Sequence, residues 1–191
     1  MRWGDTMKIT FITGGARSGK SKLAENTALK TGQKVIYLAT AQALDEEMAN
    51  RIKIHQQRRP DNWTTIEEPR FLSRVLKDIR TDRSYESYDI ILIDCLALLV
   101  SNWLPLEKAS DTSQWDNLRT ELLDEIKAMI SEMEKIQKDF IIVSNEVGLG
   151  IVPEYPLARL YRDLLGEVNQ IVAASADEVI FMVSGLPMKL K

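Results

Sequence analysis

Short, almost continuous apolar runs alternate along the chain with longer segments of helical composition. The apolar runs predict buried strands at 8–13, 34–40, 89–96, 139–144 and 178–184, with a shorter strand at 64–66. The intervening segments predict helices at 20–30, 45–59, 69–80, 113–138 and 156–176. Strands that are apolar on both faces and alternate with helices indicate an α/β fold, with a mainly parallel central sheet and helices on both of its faces.

The predicted helix at 113–138 has the clearest periodicity. Its apolar residues recur with a helical period at 118, 122, 126, 129, 133 and 136. The helix at 69–80 is predicted to carry Pro69 near its first helical position, where the fixed φ of proline is tolerated. No repeat, low-complexity tract or linker divides the chain, so we interpret the polar segment at 101–112 as an excursion from one domain. The sequence predicts a single catalytic domain over 1–191, with 1–7 as an extension outside the core.

Composition and charge exclude several classes of protein. Hydrophobic residues make up 45% of the chain, which is too much for a disordered protein. The 25 Lys and Arg residues against 28 Asp and Glu give a net charge of −3, so the chain has no overall basic field for binding nucleic acid. Cys95 is the only cysteine, which excludes an internal disulfide. No apolar run reaches the roughly 18 residues of a membrane span, and we expect a soluble, cytoplasmic protein.

A glycine-rich segment joins the first predicted strand to the first predicted helix. It matches the pattern G-x-x-x-x-G-K-[ST] and consists of Gly14, Gly15, Ala16, Arg17, Ser18, Gly19, Lys20 and Ser21. Glycines in such a loop let backbone N–H groups converge on phosphates, and the helix that follows adds its N-terminal dipole. Lys20 is expected to reach the β- and γ-phosphates, and the Ser21 hydroxyl to ligate Mg²⁺. The segment predicts a P-loop that binds a nucleotide.

A matching acidic residue ends the predicted strand at 89–96. Asp94 follows four apolar residues and would hold Mg²⁺ directly or through water, because a buried carboxylate without a cation is unfavourable. Asp89 is the alternative, but it lies at the start of the strand, and ligands bind at the carboxyl ends of parallel strands. These residues leave open whether the base is adenine or guanine.

His55 is the only histidine in the chain. On a helix, Arg51 lies four residues before it, Arg58 three residues after it and Arg59 four residues after it, so all three share its face. Three cations beside an imidazole lower its pKa and form an anion pocket. A neutral imidazole beside bound phosphates is a competent nucleophile for phosphorus. The spacing alone leaves open a solvated basic helix face with a structural histidine.

A run with two glycines and a proline follows the predicted strand at 139–144. It extends over 145–153 and lies at the ligand-binding edge expected for a parallel sheet. We interpret it as a shaped loop near the substrate, with a plain strand-to-helix connection as the alternative.

Several motifs in their order along the chain are similar to one enzyme family. They are ITGGARSGKS at 12–21, YLATAQ at 37–42, DEEMANRIKIHQQRRP at 45–60, WTTIEEP at 63–69, SNEVGLGIVPE at 144–154 and RDLLGEVNQ at 162–170. The chain resembles the bifunctional adenosylcobinamide kinase / adenosylcobinamide-phosphate guanylyltransferases of cobalamin biosynthesis over nearly its whole length. Their fold is a RecA-like P-loop NTPase, and we expect the same fold here.

The resemblance implies two reactions and their substrates. ATP or GTP phosphorylates the aminopropanol hydroxyl of adenosylcobinamide. GTP then transfers GMP, through a covalent histidine intermediate, to adenosylcobinamide phosphate, which gives adenosylcobinamide-GDP and pyrophosphate. Mg²⁺ is the implied cofactor, and a homotrimer is the implied assembly.

The resemblance also assigns residues to the site. The histidine that carries GMP corresponds to His55. The nucleotide contacts implied besides the P-loop are Ala39, Thr40, Ala41, Gln56, Gln57, Arg58, Arg59 and Glu67, and Asp94 lies where relatives carry an acidic residue.

Three alternative functions remain at this point. A P-loop kinase of another small alcohol would use His55 only structurally and would form no covalent nucleotide adduct. A nucleotide-binding regulator would bind tightly without turnover. A guanylyltransferase without kinase activity would have much the same sequence, because no residue is identified as the kinase base.

Overall fold

The computed structural model describes residues 7–31, 34–57, 59–104 and 112–191. The strands are β1 (Ile9–Gly14), β2 (Val35–Ala39), β3 (Thr64–Glu67), β4 (Ile90–Asp94), β5 (Asp139–Val143), β6 (Glu178–Val183) and β7 (Leu186–Lys189). The helices are α1 (Lys20–Thr31), α2 (Glu46–Gln57), α3 (Leu72–Thr81), α4 (Leu96–Trp103), α5 (Trp115–Met133) and α6 (Pro156–Ser175). None of the helices in these described ranges is long and apolar enough to cross a membrane.

The seven strands form one sheet in the order β3-β2-β4-β5-β1-β6-β7. Every pair of neighbouring strands is parallel except β6 and β7, which are antiparallel. The strand that precedes the glycine-rich loop, β1, is separated from β4 by β5, as in RecA-like P-loop proteins. The expected α/β fold with a mainly parallel sheet is confirmed.

The two faces of the sheet pack against different helices. One face, with Phe11, Ile93 and Phe140, forms the larger core together with apolar residues of α3, α4, α5 and α6. The other face, with Tyr37 and Leu92 among its residues, packs against α1. Helices therefore cover both faces, which is why the inner strands are apolar at almost every position.

The apolar run at 89–96 is shorter as a strand than predicted. The strand ends at Asp94, and α4 begins at Leu96. Leu96, Leu99, Val100 and Trp103 are buried, and their spacing is that of one helix face. Periodicity alone does not distinguish a short buried strand from a short buried helix, so the sequence prediction missed α4.

Two other predicted helices have different bounds. The helix predicted at 69–80 begins at Leu72, so Pro69 lies in the preceding turn and not at the first helical position. This turn is held by Glu68 Oε1, which accepts hydrogen bonds from the backbone N–H groups of Arg70 at 2.8 Å and Phe71 at 2.9 Å. The helix predicted at 113–138 ends at Met133, although Ile136 beyond it is still buried in the core.

The strand predicted at 178–184 is not the last strand of the chain. It turns at Ser184 and Gly185 and pairs with β7, which the sequence analysis missed. Both turn residues have positive φ, 51° and 85°, as a two-residue hairpin turn requires. At the other end of the chain, Met7 packs against the core, although it was assigned to the extension. The rest of that extension, 1–6, lies outside the described residues.

Candidate active site

The carboxyl ends of four parallel strands meet at one edge of the sheet. In the strand register, Ala39 lies beside Asp94, Asp94 beside Val143, and Val143 beside Ile12. A cleft of about 490 Å³ opens at this edge. It is lined by the glycine-rich loop, by these strand ends and by one side of α2, which is the ligand-binding position expected for a parallel α/β sheet.

The glycine-rich loop contains three residues with positive φ. Arg17 and Gly19 have positive φ values of 55° and 94°. At Gly14, with φ of 149°, an added Cβ would collide with the backbone carbonyl oxygen of Met182, so only glycine fits there. The chain turns sharply between these positions and enters α1 at Lys20. The loop and the first turn of α1 line the cleft, and the N–H groups at the start of a helix favour a bound anion.

Lys20 lies buried at the start of α1. Its Nζ donates a hydrogen bond to the backbone oxygen of Gly15 at 2.7 Å. Burial lowers the pKa of Lys20, while the nearby Cys95 and Asp94 act in the opposite direction. Within the described residues, the buried Ser18 hydroxyl of the same loop has no hydrogen-bond partner. A bound phosphate would supply both an anion for Lys20 and an acceptor for Ser18.

Asp94 ends β4 and points into the cleft beside a tyrosine. Its Oδ2 accepts a hydrogen bond of 2.8 Å from the hydroxyl of Tyr37. Tyr37 is buried, and burial together with the Asp94 carboxylate raises its pKa far above the ordinary value, so the phenol keeps its proton.

The donor set around Asp94 fits Mg²⁺. Ser21 supplies a hydroxyl and Asp94 a carboxylate in the same cleft. Mg²⁺ in nucleotide sites is bound by one or two protein oxygens and completes its shell with phosphate and water. Among the residues that the structure describes, no group of three or more His, Cys, Asp or Glu is placed to hold a metal ion.

Arg59 lies over the face of Tyr37. The centre of its guanidinium is 3.5 Å from the ring centroid, and its Nη1 donates a hydrogen bond of 3.0 Å to Thr65 Oγ1. Trp63 stacks near the same ring, with centroids 6.4 Å apart. A cation so close to an aromatic face is attracted by its quadrupole, so the arginine is held at the cleft wall.

Helix α2 forms one wall of the cleft. Met48, Ile52 and Gln56 line it, and their four-residue spacing places them on one helix face. The backbone of His55 lies on this stretch of α2, between Ile52 and Gln56. The side chains of His55 and Arg51 and the whole of Arg58 lie outside the described residues.

Most of the predicted nucleotide contacts that the structure describes line the cleft. They are Ala16, Arg17, Ser18, Gly19, Lys20, Ser21, Ala39, Ala41, Gln56, Arg59, Glu67 and Asp94. Gln56 Nε2 lies 3.4 Å from Glu67 Oε1, which joins α2 to the end of β3.

Four predicted contacts are not among the residues that line the cleft. Gly14 and Gly15 lie at the start of the glycine-rich loop, and Gln57 is exposed at the end of α2. Thr40 is fully buried, where its Oγ1 donates to the backbone oxygen of Cys95 at 2.7 Å and accepts from the Cys95 N–H at 2.9 Å. Its hydroxyl joins the ends of β2 and β4 and does not face the cleft.

The sequence analysis missed several residues of the cleft. Lys22, Tyr37, Met48, Ile52, Cys95, Leu98 and Val143 line it as well. Tyr37 had a usable signal, because it lies two residues before Ala39 and therefore on the same face of β2. Asn145, the first residue of the loop predicted to lie near the substrate, also lines the cleft.

Cys95 is a second potential nucleophile in the cleft. Burial, and secondarily the neighbouring Asp94 carboxylate, raise its pKa to about 12. The thiol therefore stays protonated at neutral pH. Because the thiolate is the nucleophilic form, this environment disfavours a covalent role for Cys95.

The RecA-like sheet, the P-loop and the acidic residue at the end of β4 together define a P-loop nucleotide-binding enzyme. Residues 10–190 match the family described as cobinamide kinase / cobinamide phosphate guanyltransferase. The chain belongs to this family, and it is a transferase with kinase and guanylyltransferase activities in cobalamin biosynthesis. This confirms the resemblance in the sequence motifs and argues against the alternatives of an unrelated kinase and a regulator.

Three curated relatives are similar over nearly the whole chain. The bifunctional adenosylcobalamin biosynthesis protein CobU of Salmonella typhimurium is 44% identical, over 96% of this chain and 99% of the relative. The protein of the same name from Escherichia coli is 40% identical over the same shares. The bifunctional adenosylcobalamin biosynthesis protein CobP of Pseudomonas aeruginosa is 42% identical, over 95% of this chain and 96% of the relative.

Proposed function

We propose that one cleft serves both reactions of the family, with adenosylcobinamide as the phosphoryl acceptor and His55 as the carrier of GMP. In the kinase step, the aminopropanol oxygen attacks the γ-phosphorus of ATP or GTP, and the nucleoside diphosphate leaves. In the guanylyl step, an imidazole nitrogen attacks the α-phosphorus of GTP, and pyrophosphate leaves. An oxygen of adenosylcobinamide phosphate then attacks the same phosphorus and releases the histidine.

The loop and Lys20 bind the phosphates that leave in each step. Lys20 is buried within the same cleft as the loop, so its charge acts in a poorly hydrated environment where it stabilises developing negative charge strongly. Ser21 and Asp94 would hold Mg²⁺, which neutralises charge on the phosphate oxygens when it is bound.

The proposal for His55 rests on the position of α2. Ile52 and Gln56, on either side of His55 in the helix, line the same cleft as Lys20 and Asp94. A nucleotide on the P-loop would therefore lie beside the helix that carries the histidine. Arg59, held at the cleft wall by Tyr37, supplies a positive charge beside the phosphates.

We expect a homotrimer in the cytoplasm. Leu149, Ile151, Val152 and Tyr155 are exposed large apolar residues after β5, and Ile151 is 96% exposed. Soluble proteins rarely leave such a patch in contact with water, because its burial is favourable. This segment is the surface that we assign to the subunit contact.

Incubation with Mg²⁺ and α-labelled GTP tests the role of His55. We expect an acid-labile, base-stable label on the wild-type protein, and its discharge by adenosylcobinamide phosphate. The variant His55→Ala should bind GTP but carry no label. Gln57→Ala changes an exposed neighbour outside the cleft and should be labelled like the wild type. If His55→Ala is labelled as well, another residue carries GMP.

A further inference from the structure

The hydroxyl of Tyr37 contacts one oxygen of the proposed metal carboxylate. The bond from Tyr37 to Asp94 Oδ2 is 2.8 Å long, although the two residues are 57 positions apart in the chain. It is a charge-assisted bond in a partly buried part of the cleft wall, and such bonds are the strong class of hydrogen bond. A carboxylate held at one oxygen has a defined rotation about its Cβ–Cγ bond.

The strand register brings the two side chains to the same face. Tyr37 lies beside Leu92, and Ala39 lies beside Asp94, in the parallel pair of β2 and β4. Side chains alternate between the faces of a strand, so Tyr37 and Asp94 project from the face that α1 covers. The phenol reaches diagonally across one strand spacing to the carboxylate.

The ring of Tyr37 is held in place by an aromatic and a cationic side chain. Tyr37 is only 2% exposed, Trp63 stacks near its ring, and the Arg59 guanidinium lies over the ring face. A ring packed in this way has little rotational freedom, so its hydroxyl is a fixed donor. The edge of the ring thus contacts Asp94, and its face contacts the arginine beside α2.

We propose that Tyr37 is a positioning residue, which orients the Asp94 carboxylate so that its other oxygen faces the metal bound with the nucleotide. The proposal rests on the metal role of Asp94 proposed above. Partners that hydrogen-bond a ligating carboxylate fix its orientation, and their loss typically weakens metal binding about 10–100-fold. Tyr37 acts through Asp94 and need not touch the nucleotide.

Metal binding without turnover tests the proposal. Mn²⁺ is titrated by electron paramagnetic resonance into protein saturated with a GTP analogue whose α–β bridge is a methylene group, which cannot donate GMP. We expect Tyr37→Phe to weaken Mn²⁺ binding by about tenfold or more. Phenylalanine keeps the ring under Arg59, so the affinity for the analogue in EDTA should stay within about twofold. Thermal unfolding of each variant verifies folding.

A double-mutant cycle with Asp94→Asn separates the two proposals. If Tyr37 acts through Asp94, the double variant binds Mn²⁺ no more weakly than Asp94→Asn alone. If Tyr37→Phe binds like the wild type while Asp94→Asn is weakened, the positioning role is overturned and the metal role of Asp94 stands. If neither variant is weakened, both are overturned.

Tyr88→Phe is the matched control. It also removes one phenol hydroxyl, but that hydroxyl lies 2.5 Å from Thr64 Oγ1. Thr64 is the first residue of β3, whereas Glu67, which lines the cleft, is the last. It should bind Mn²⁺ like the wild type. Equal weakening in Tyr88→Phe would overturn the positioning role, because the effect would then not depend on contact with Asp94.

Discussion

Arg59 and Tyr37 form a cation–π contact at the wall of the cleft, with 3.5 Å between the guanidinium carbon and the ring centroid. Arg59 follows α2, which carries His55, whereas Tyr37 lies in the central sheet and contacts Asp94. The contact thus connects the part of the site proposed to receive GMP with the part proposed to hold the metal. It also holds a positive charge where the α-phosphate of GTP is expected.

Arg59→Lys should weaken covalent labelling by α-labelled GTP. Lysine keeps the charge but loses the planar group that stacks on Tyr37 and donates to Thr65. We expect the rate of labelling to fall about tenfold, which corresponds to the loss of about 1.4 kcal/mol. Single-turnover labelling measures this rate. Arg74→Lys, an exposed arginine of α3, is the control, and equal rates in both variants would contradict a role for the stacked guanidinium.

Lys20→Met should abolish nucleotide binding and at the same time stabilise the nucleotide-free protein. Burial holds the pKa of Lys20 below its ordinary value of 10.5, so the charged form is disfavoured in the folded state. A charge that is buried loses its hydration, which is unfavourable, so an apolar group at this position should stabilise the nucleotide-free fold. A gain of 1 kcal/mol would raise the melting temperature by about 2–4 °C in a chain of this size.

The difference in free energy of unfolding between Lys20→Met and the wild type should depend on pH. The unfolded chain binds the Lys20 proton more tightly than the folded chain, so the unfavourable contribution of Lys20 is complete below its folded pKa. It shrinks as the pH rises through the folded pKa towards 10.5. The difference in free energy of unfolding between Lys20→Met and wild type should therefore narrow in alkali. A melting temperature below that of the wild type at pH 7 would contradict this account.

Glu125→Gln should change the pH dependence of stability. Burial raises the pKa of Glu125, against the opposing effect of hydrogen bonds of 2.8 Å from the backbone N–H and the hydroxyl of Ser73. The folded state therefore binds the Glu125 proton more tightly than the unfolded state does. The stability gained from this proton is present below pH 4.5, the ordinary pKa, and is lost as the pH rises through the folded pKa.

Urea unfolding at pH 4.5 to 7.5 measures this effect. The free energy of unfolding of the wild type, relative to Glu125→Gln, should fall over that interval. Glu121→Gln, at an exposed position one turn earlier on α5, is the control and should follow the wild type. Parallel curves for wild type and Glu125→Gln would show that Glu125 does not titrate in this interval.

Ile151→Asp should dissociate the proposed trimer. A charge in the middle of an apolar contact would lose its hydration on assembly, so the subunits should separate. Light scattering after size-exclusion chromatography should give three times 21.8 kDa for the wild type and 21.8 kDa for the variant. Gln137→Asp places the same charge at the opposite end of the sheet and should remain trimeric. A wild type of 21.8 kDa would contradict the trimer itself.

Local patterns in the sequence were enough for the general architecture and for the position of the glycine-rich loop between the first strand and the first helix. The glycine-rich run between 8–13 and 20–30 predicted the loop, because its chemistry depends on neighbouring residues. The alternation of apolar strands with helices predicted the parallel sheet, because burial on both faces imposes an apolar residue at nearly every position. The acidic residue Asp94 was identified in the same apolar run, but the strand predicted at 89–96 extended past the observed end of β4 at Asp94 and missed α4.

Local patterns of this kind could not predict the long-range contacts. The Tyr37–Asp94 bond depends on the register of β2 with β4, and the Arg59–Tyr37 contact depends on where the chain leaves α2. Thr40 was predicted as a nucleotide contact, yet its hydroxyl bonds the backbone of Cys95, 55 positions away. Neighbouring residues specify turns, strands and helices, whereas the partner of each polar side chain is chosen by elements that meet only after the sheet has formed.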